Sequence, residues 1–553
     1  MDGIMNTNIA HPYCGVVTHM FANEEYSIET SPVRTLLYSN LPPTTAGQSN
    51  ATRQTLQEAQ RHLRDVDENI RYLLAKRMML QNYIETHRGI VSSLRQVPNE
   101  ILSEVFIHAL PVFPFRLSQN QAPLLFERVC KRWKDVSRST PTLWSYISLS
   151  DYAYNIGAVE RDLRYTSTCL ARSGNCPLSI SLDIGAIPLN SITNYLEHPA
   201  LAMLTAHSER WHRLILQAPW EVVRKLEILK GRLSLLSSMN LEIRGLAEQH
   251  DATEFDVFAF SPKLRHLELS SEFYTLDVGM FSIPWKGLTS LVLSHRQTDI
   301  VWGILLDCPC LVVLEVTINT DNNAPVQDVN LQYLRSLSLT LPSSSTMLFT
   351  LVLPALVHAS FMIETPDEDI EWAEPWHIHS GLDTMLSQSR CTLLQLELWD
   401  DADHLEEWDF VCCLEAVPSL HGVVLCPKLS SMLLSYALFP DGAISETFLP
   451  NLKDLVLWAS GAMPNNWPHD YDLFLRSFRA LTGHFRLIQS LTITMDEEAL
   501  AVCEELYILV ALRVLRSEGI YVNVVDDDGS VRPLITSQLE DFPLLNGRHV
   551  RRL

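Results

Sequence analysis

"SPKLRHLELS", residues 261–270, decides the reading of the fold. Leu264, Leu267 and Leu269 follow the pattern L-x-x-L-x-L, and the last two stand two residues apart. In an extended chain that spacing puts both side chains on one face. The phrase returns as "WKGLTSLVLS" (285–294), "CPCLVVLEVT" (308–317), "LQYLRSLSLT" (331–340), "LPNLKDLVLW" (449–458) and "RLIQSLTIT" (486–494). Looser copies are "ERWHRLILQ", "SSMNLEIRG", "LPALVHASF", "TLLQLELW" and "VPSLHGVVL". Their central apolar residues are Leu214, Met239, Leu267, Leu291, Leu314, Leu337, Ala359, Leu396, Val423, Leu455 and Leu491. Consecutive gaps are 25, 28, 24, 23, 23, 22, 37, 27, 32 and 36 residues.

Gaps of 22–28 match the period of leucine-rich repeats, and the longer gaps call for insertions. "LEVTIN" (Leu314, Val316, Asn319) comes nearest to the asparagine position of such repeats, which most copies lack. The spacing therefore predicts an α/β fold: an irregular solenoid over 205–525 whose short strands stack into a parallel sheet. Arrays of this kind offer long surfaces to protein partners.

Outward from the array, residues 1–50 ("NLPPTTAGQSN" among them) show little periodicity and are expected as a flexible leader. Within 51–94 the apolar residues fall on two heptad tracks. One is Leu56, Leu63, Ile70, Arg77, Ile84 and Val91; the other is Ala59, Val66, Leu73, Leu80, His87 and Leu94. No proline interrupts them, so one long amphipathic helix is expected. It either pairs with a second copy, giving a homodimer through 56–94, or folds against the segment that follows. Pro98 ends it and opens the next helix. In "VPNEILSEVF" (97–106), Ile101, Leu102, Val105 and Phe106 share a helical face. A further helix is expected over 124–137, with Leu125, Phe126, Val129, Cys130 and Trp133 on its apolar side. "STPTLWSYISLS" (139–150) closes the unit with Leu143, Trp144 and a strand-like end. Residues 151–204 read as a connecting segment, and 526–553 as a hairpin at Asp528-Gly529 with a basic tail.

The fragments "VPNEILSEVF", "VCKRW" and "TPTLW", in this order over 95–150, resemble the F-box, and the coiled leader resembles the large fungal F-box family. Val97 stands where that pattern usually has Leu. The resemblance implies a substrate-recognition adaptor of a Skp–cullin–F-box ubiquitin ligase. A Skp-type linker protein would dock on Val97, Pro98, Ile101, Leu102, Val105, Phe106, Val129, Cys130 and Trp133. It would lead on to a cullin–RING ligase, while the repeats hold a protein substrate. A leucine-rich-repeat scaffold outside any ligase is the alternative. Any of the nine side chains could instead pack inside the unit itself.

The net charge is −23, distributed unevenly. Residues 51–150 hold 14 Lys/Arg against 9 Asp/Glu, whereas the chain beyond 150 carries −25. An acidic body points away from nucleic acid and anionic membranes as partners and towards a basic protein. Two acidic, tryptophan-bearing inserts, "ETPDEDIEWAEPWHIHS" (364–380) and "WDDADHLEEWD" (399–409), supply candidate substrate contacts at Asp367, Glu368, Asp369, Trp372 and Trp376. The rival reading has the tryptophans, Trp399 and Trp408 included, tucked onto the array. His377 and His379 lack further ligands at metal-binding spacing, and neither "CPC" (308–310) nor "CC" (412–413) has the paired spacing of a structural zinc site. The chain contains no phosphate loop, nucleophile elbow or zinc-protease motif, so neither enzyme activity nor a cofactor is expected. The first residues lack the basic start and apolar core of a signal peptide, and no apolar run is long enough to span a membrane. With eleven cysteines, an odd number, the expectation is reduced thiols in an intracellular protein, cytoplasmic or nuclear.

Overall fold

The computed structural model describes residues 28–29, 31–39, 42–90, 93–115, 118–150, 156–184, 199–244, 254–271, 280–320, 327–342, 346–363, 378–400, 405–438, 448–459, 488–495, 515–517 and 519–525. The chain divides into two compact units, 1–102 and 103–553.

In the first unit, helix α1 spans Arg34–Ser39 and α2 spans Ala46–Ile90. The described part of the expected leader is thus partly helical, and the long helix starts earlier than 51. Its start has a chemical cause. Thr45 Oγ1 accepts the Gln48 backbone N–H at 3.2 Å, and Gln48 Oε1 takes the Thr44 N–H at 3.1 Å. That Thr-x-x-Gln exchange satisfies amides that the first helical turn leaves without partners. A short 3-10 turn, Ser93–Arg95, precedes α3, Asn99–His108, within which the division between units falls.

The second unit is built on one parallel sheet of fourteen strands. They are β1 (Tyr146–Ser150), β2 (Leu178–Asp183), β3 (Trp211–Pro219), β4 (Ser238–Arg244), β5 (His266–Ser271), β6 (Ser290–Gln297), β7 (Val313–Thr320), β9 (Ser336–Leu341), β11 (His358–Ile363), β12 (Gln395–Asp400), β13 (Gly422–Leu425), β14 (Asp454–Ala459), β15 (Ser490–Met495) and β16 (Tyr521–Val525). The two-residue strands β8 (Val329–Asn330) and β10 (Leu351–Val352) pair with each other beside it. All eleven central residues of the repeat lie in one register. Leu214 pairs with Met239, Met239 with Leu267, and so on through Leu291, Leu314, Leu337, Ala359, Leu396, Val423 and Leu455 to Leu491. This is the leucine-rich-repeat solenoid that the periodicity predicts.

The column also continues past both ends of the repeat. Ile147 pairs with Ile180, Ile180 with Leu214, and Leu491 with Val522. The segment expected to connect, 151–204, therefore supplies β2 and the helix α6 (Ile156–Arg172) to the same array.

Alternation fixes the layers. In β4 and β9 every second residue is buried, and the column residues and their i+2 partners form a continuous apolar layer. Return segments such as the helices Thr298–Leu306 and Ile378–Ser389 cover that layer with Val301, Leu305, Leu382 and Met385. Just ahead of the strands from β4 to β15 in the large sheet a backbone bond ties neighbours together. Thr289 N–H donates to Arg265 O, Val312 to Thr289, Arg335 to Val312 and His421 to Leu394, each at 2.8 Å. Ladder bonds of this kind satisfy main-chain groups that the apolar layer would otherwise strand.

Among the described residues the cysteines are free thiols. Burial pushes Cys169 and Cys308 up to about 12 and Cys413 well above the usual thiol range. They pack as small hydrophobes. No described helix is long and apolar enough to cross a membrane. The hairpin and basic tail expected over 526–553 lie outside the described residues.

Candidate partner-docking site

The docking expectation centres on α3. Pro98 is exposed and its carbonyl accepts the Leu102 N–H at 3.0 Å, closing the first turn. Glu100 sits in that turn and complements the positive end of the helix dipole, and His108 sits in the last turn. The helix has two distinct faces. Leu102 and Phe106 are buried, whereas Ile101 and Val105, one turn apart, are 54% and 52% exposed. Val97 is half-buried.

The helix expected over 124–137 is in fact two. α4 spans Phe126–Val129 and α5 spans Lys131–Ser139, with Cys130 extended between them at φ −161°, ψ 170°. The break lets Cys130 cap α5: its Sγ accepts the Trp133 N–H at 3.5 Å. It also turns Phe126 inward and leaves Val129 exposed. Phe126 stacks on Phe106 with ring centroids 4.0 Å apart, and Trp133 leans on Phe106 at 4.8 Å. Of the nine expected docking residues, Leu102 and Phe106 are therefore core. Trp133 is half-buried against that core. Ile101, Val105, Val129 and Cys130 are the outward ones, with Pro98 at the helix start.

Sequence reading missed what holds this helical segment to the array. Glu127 on α4 accepts both Nε and Nη2 of Arg138 on α5, at 3.2 and 3.1 Å, and also pairs with Arg172 at the end of α6. Burial pushes the Glu127 carboxyl up, but the two guanidinium groups outweigh it and hold it below the usual carboxylate range. Arg172 lies 4.1 Å from the ring centroid of Trp144, a fully buried side chain whose Nε1–H donates to Ser137 O at 2.8 Å. Residues 141–144 form a 3-10 turn that leads straight into β1. Arg172 lies 45 residues from Glu127, beyond any local pattern.

On the array, Asp367, Glu368, Asp369, Trp372 and Trp376 fall within 364–377, outside the described residues, as does His377. The second insert is partly folded back. Trp399 meets Trp458 edge-on at 4.9 Å, and the buried Asp400 accepts the Leu405 N–H at 2.8 Å with Lys428 Nζ at 3.5 Å. Trp408, 65% exposed, is the outward ring. His379 Nδ1 pairs with Asp409 Oδ1 at 2.5 Å, and among the described residues no three His, Cys, Asp or Glu side chains gather to hold a metal.

The open face of the sheet carries polar residues between the leucines. Arg244 bridges Glu242 at 2.7 Å and Asp183 at 2.9 Å. His358 spans three strands, between Ser336 Oγ and Glu397 Oε1, each at 3.2 Å. Burial raises the Glu268 carboxyl; Asn240 opposes the rise by hydrogen bonding, while Glu315 and Glu242 add to it. In the sequence these acids are the variable positions of the repeat and carry no signal of their own.

No family model matches the chain, and no curated protein does. Among solved structures it is similar to the leucine-rich repeat-containing protein LegL7 from Legionella pneumophila, at 14% identity and a TM-score of 0.32, over 57% of this chain and 92% of that one. It is also similar to a structure of the Rad7 and Elc1 complex in yeast, at 14% identity and a TM-score of 0.29, over 76% of this chain and 95% of that one.

Proposed function

We propose that this protein is a substrate-recognition adaptor of a Skp–cullin–F-box ubiquitin ligase, with no catalytic centre of its own. In this reading the helices of 97–144 dock a Skp-type linker, and the sheet binds a protein substrate. One observation carries the proposal: α3 commits Leu102 and Phe106 to the core yet turns Ile101 and Val105 to solvent. Two large aliphatic side chains more than half exposed on one helical face add little to folding there and fit a groove on a partner. The docking set narrows to these two with Val129 and Cys130, and Val97 and Pro98 at the helix start. The acidic body and the carboxylates of the open sheet face favour a substrate of basic character.

The test is binding of a purified Skp-type linker to the full-length chain. The double variant Ile101→Asp/Val105→Asp is expected to weaken binding by roughly 100-fold or more, because each buried carboxylate would lack a partner. Its far-ultraviolet circular dichroism should match the wild type, since neither side chain is buried. Undiminished linker binding by the folded double variant overturns the docking assignment. Absence of linker binding by the wild type points instead to a repeat scaffold outside the ligase.

A further inference from the structure

We infer that α2 is one half of a two-stranded, parallel, in-register coiled coil, and that its occupant is a second copy of this chain. The helix is continuous over Ala46–Ile90, and its seam is uncovered. Leu56, Leu63, Ile70, Leu73, Leu80 and Ile84 stand between 49 and 60% exposed. With Ala59, Val66 and Arg77 between them these positions alternate at spacings of three and four, the geometry that keeps one stripe facing a partner helix along a left-handed supercoil. A stripe this long suits only another helix with the same period, and a second copy supplies one.

Length, seam chemistry and flank pairing point the same way. Assigning Leu56 to the first core position of the heptad makes Ala59 the second, and the apolar pattern runs on to Ile84 with one break at Arg77, about four heptads. Three or four suffice to mark a coiled coil. From the middle of the helix onward the first core positions are Ile70, Arg77 and Ile84, and the second are Leu73 and Leu80. β-branched residues at the first position with Leu at the second favour two parallel strands over three or four. In that alignment the residues flanking the seam face one another five apart. His62 meets the second copy's Asp67, Lys76 meets Gln81, and Tyr83 meets Arg88, a ring against a guanidinium. No like charges face each other. Two of the antiparallel alignments centred on the same helix bring together Lys76 with Lys76 or Asp67 with Asp67, and the third faces Lys76 with Asn69, so the parallel choice rests on the β-branched and Leu core positions. Arg77, the lone charged residue at a first core position, fits as a device that fixes register at a cost in stability.

The test is the oligomeric state of the full-length chain by light scattering at micromolar concentration. The wild type is expected at twice the 62.8 kDa chain mass. The seam variant Leu73→Glu/Leu80→Glu is expected at the mass of one chain, and Met79→Glu, off the seam, at the wild-type mass. Because a seam variant could also unravel α2, a gain is tested alongside the loss. Arg77→Leu removes the charged layer and should tighten the dimer roughly tenfold. Alignment is read by mild oxidation of Leu63→Cys, which should add a covalent dimer that the wild type does not form under the same conditions. A single-chain mass for the wild type overturns the inference. So does a dimer that survives the seam variant, or one that Arg77→Leu weakens. Failure of Leu63→Cys to cross-link the dimer overturns the parallel alignment.

Discussion

Glu127 is the residue on which the helical segment and the array converge. One carboxylate on α4 takes two hydrogen bonds from Arg138 and pairs with Arg172, and Arg172 in turn covers the buried ring of Trp144. Glu127→Gln keeps the shape and removes the charge. We expect it to cost about 1–2 kcal/mol in urea unfolding at neutral pH, the range of charge-assisted bonds discounted for partial exposure. The pH dependence follows from the depressed folded-state pKa. The wild type keeps this contribution at neutral pH, above the ordinary Glu value of about 4.3. It loses the contribution as pH falls through the lower folded-state value, because protonation then abolishes the pairing. Glu127→Gln should therefore approach wild-type stability at acid pH. A variant equally stable at neutral pH would show that the pairing does not hold the joint. Trp144 was legible in the sequence as part of "TPTLW", but its partner Arg172 was not, because the pairing exists only once α6 has returned to the sheet.

At the scale of the strand, the column of central residues sets the packing. Leu337 is fully buried between Leu314 and Ala359 in register, and Ala359 is the one small residue among its neighbours. Phe361, two residues on and also fully buried, supplies the missing volume on the same face. Leu337→Ala should cost about 2–5 kcal/mol by opening a cavity. Ala359→Leu should cost about 1–3 kcal/mol by overfilling the layer. Thermal or urea unfolding measures both, and a stabilising Ala359→Leu would contradict the packing described. The same column explains what could be read in advance. Copies with Leu at both strand positions and a Leu three residues ahead were legible at once. β1, β2 and β16 use Ile147, Ile180 and Val522 in the column, and the leading apolar residue is displaced: four residues ahead for Leu143, two for Leu178 and Ile520. The eye tuned to L-x-x-L-x-L passes over them, although the sheet does not. The break at Cys130 was hidden for another reason. The apolar rhythm continues through it, and one helix becomes two only in the extended backbone of Cys130 and its cap on the Trp133 amide.

Across the whole molecule, the sequence divides the labour by charge as well as by pattern: a mildly basic stretch over 51–150 and an acidic body beyond it. The class of fold follows from periodicity because every strand repeats one elementary requirement, two apolar side chains on one face. The proposed docking surface follows only partly. "VPNEILSEVF" identifies α3, but a run of apolar residues does not say which of them the core will claim; burial assigns Leu102 and Phe106 inward and Ile101 and Val105 outward. The contacts expected at 364–376 lie outside the described residues; among the described ones Trp408 is exposed, and the carboxylates of the sheet face at Asp183, Glu242 and Glu397 are held by Arg244 and His358. The central claim, that the chain docks a Skp-type linker through its short helices, is tested most directly by amide hydrogen exchange on the full-length protein with and without that linker. The account predicts slowed exchange over 99–108 and 126–139 at saturating linker, with the amides of β5 to β15 unchanged. Unchanged exchange across both helical stretches, or protection confined to the strands, would contradict it.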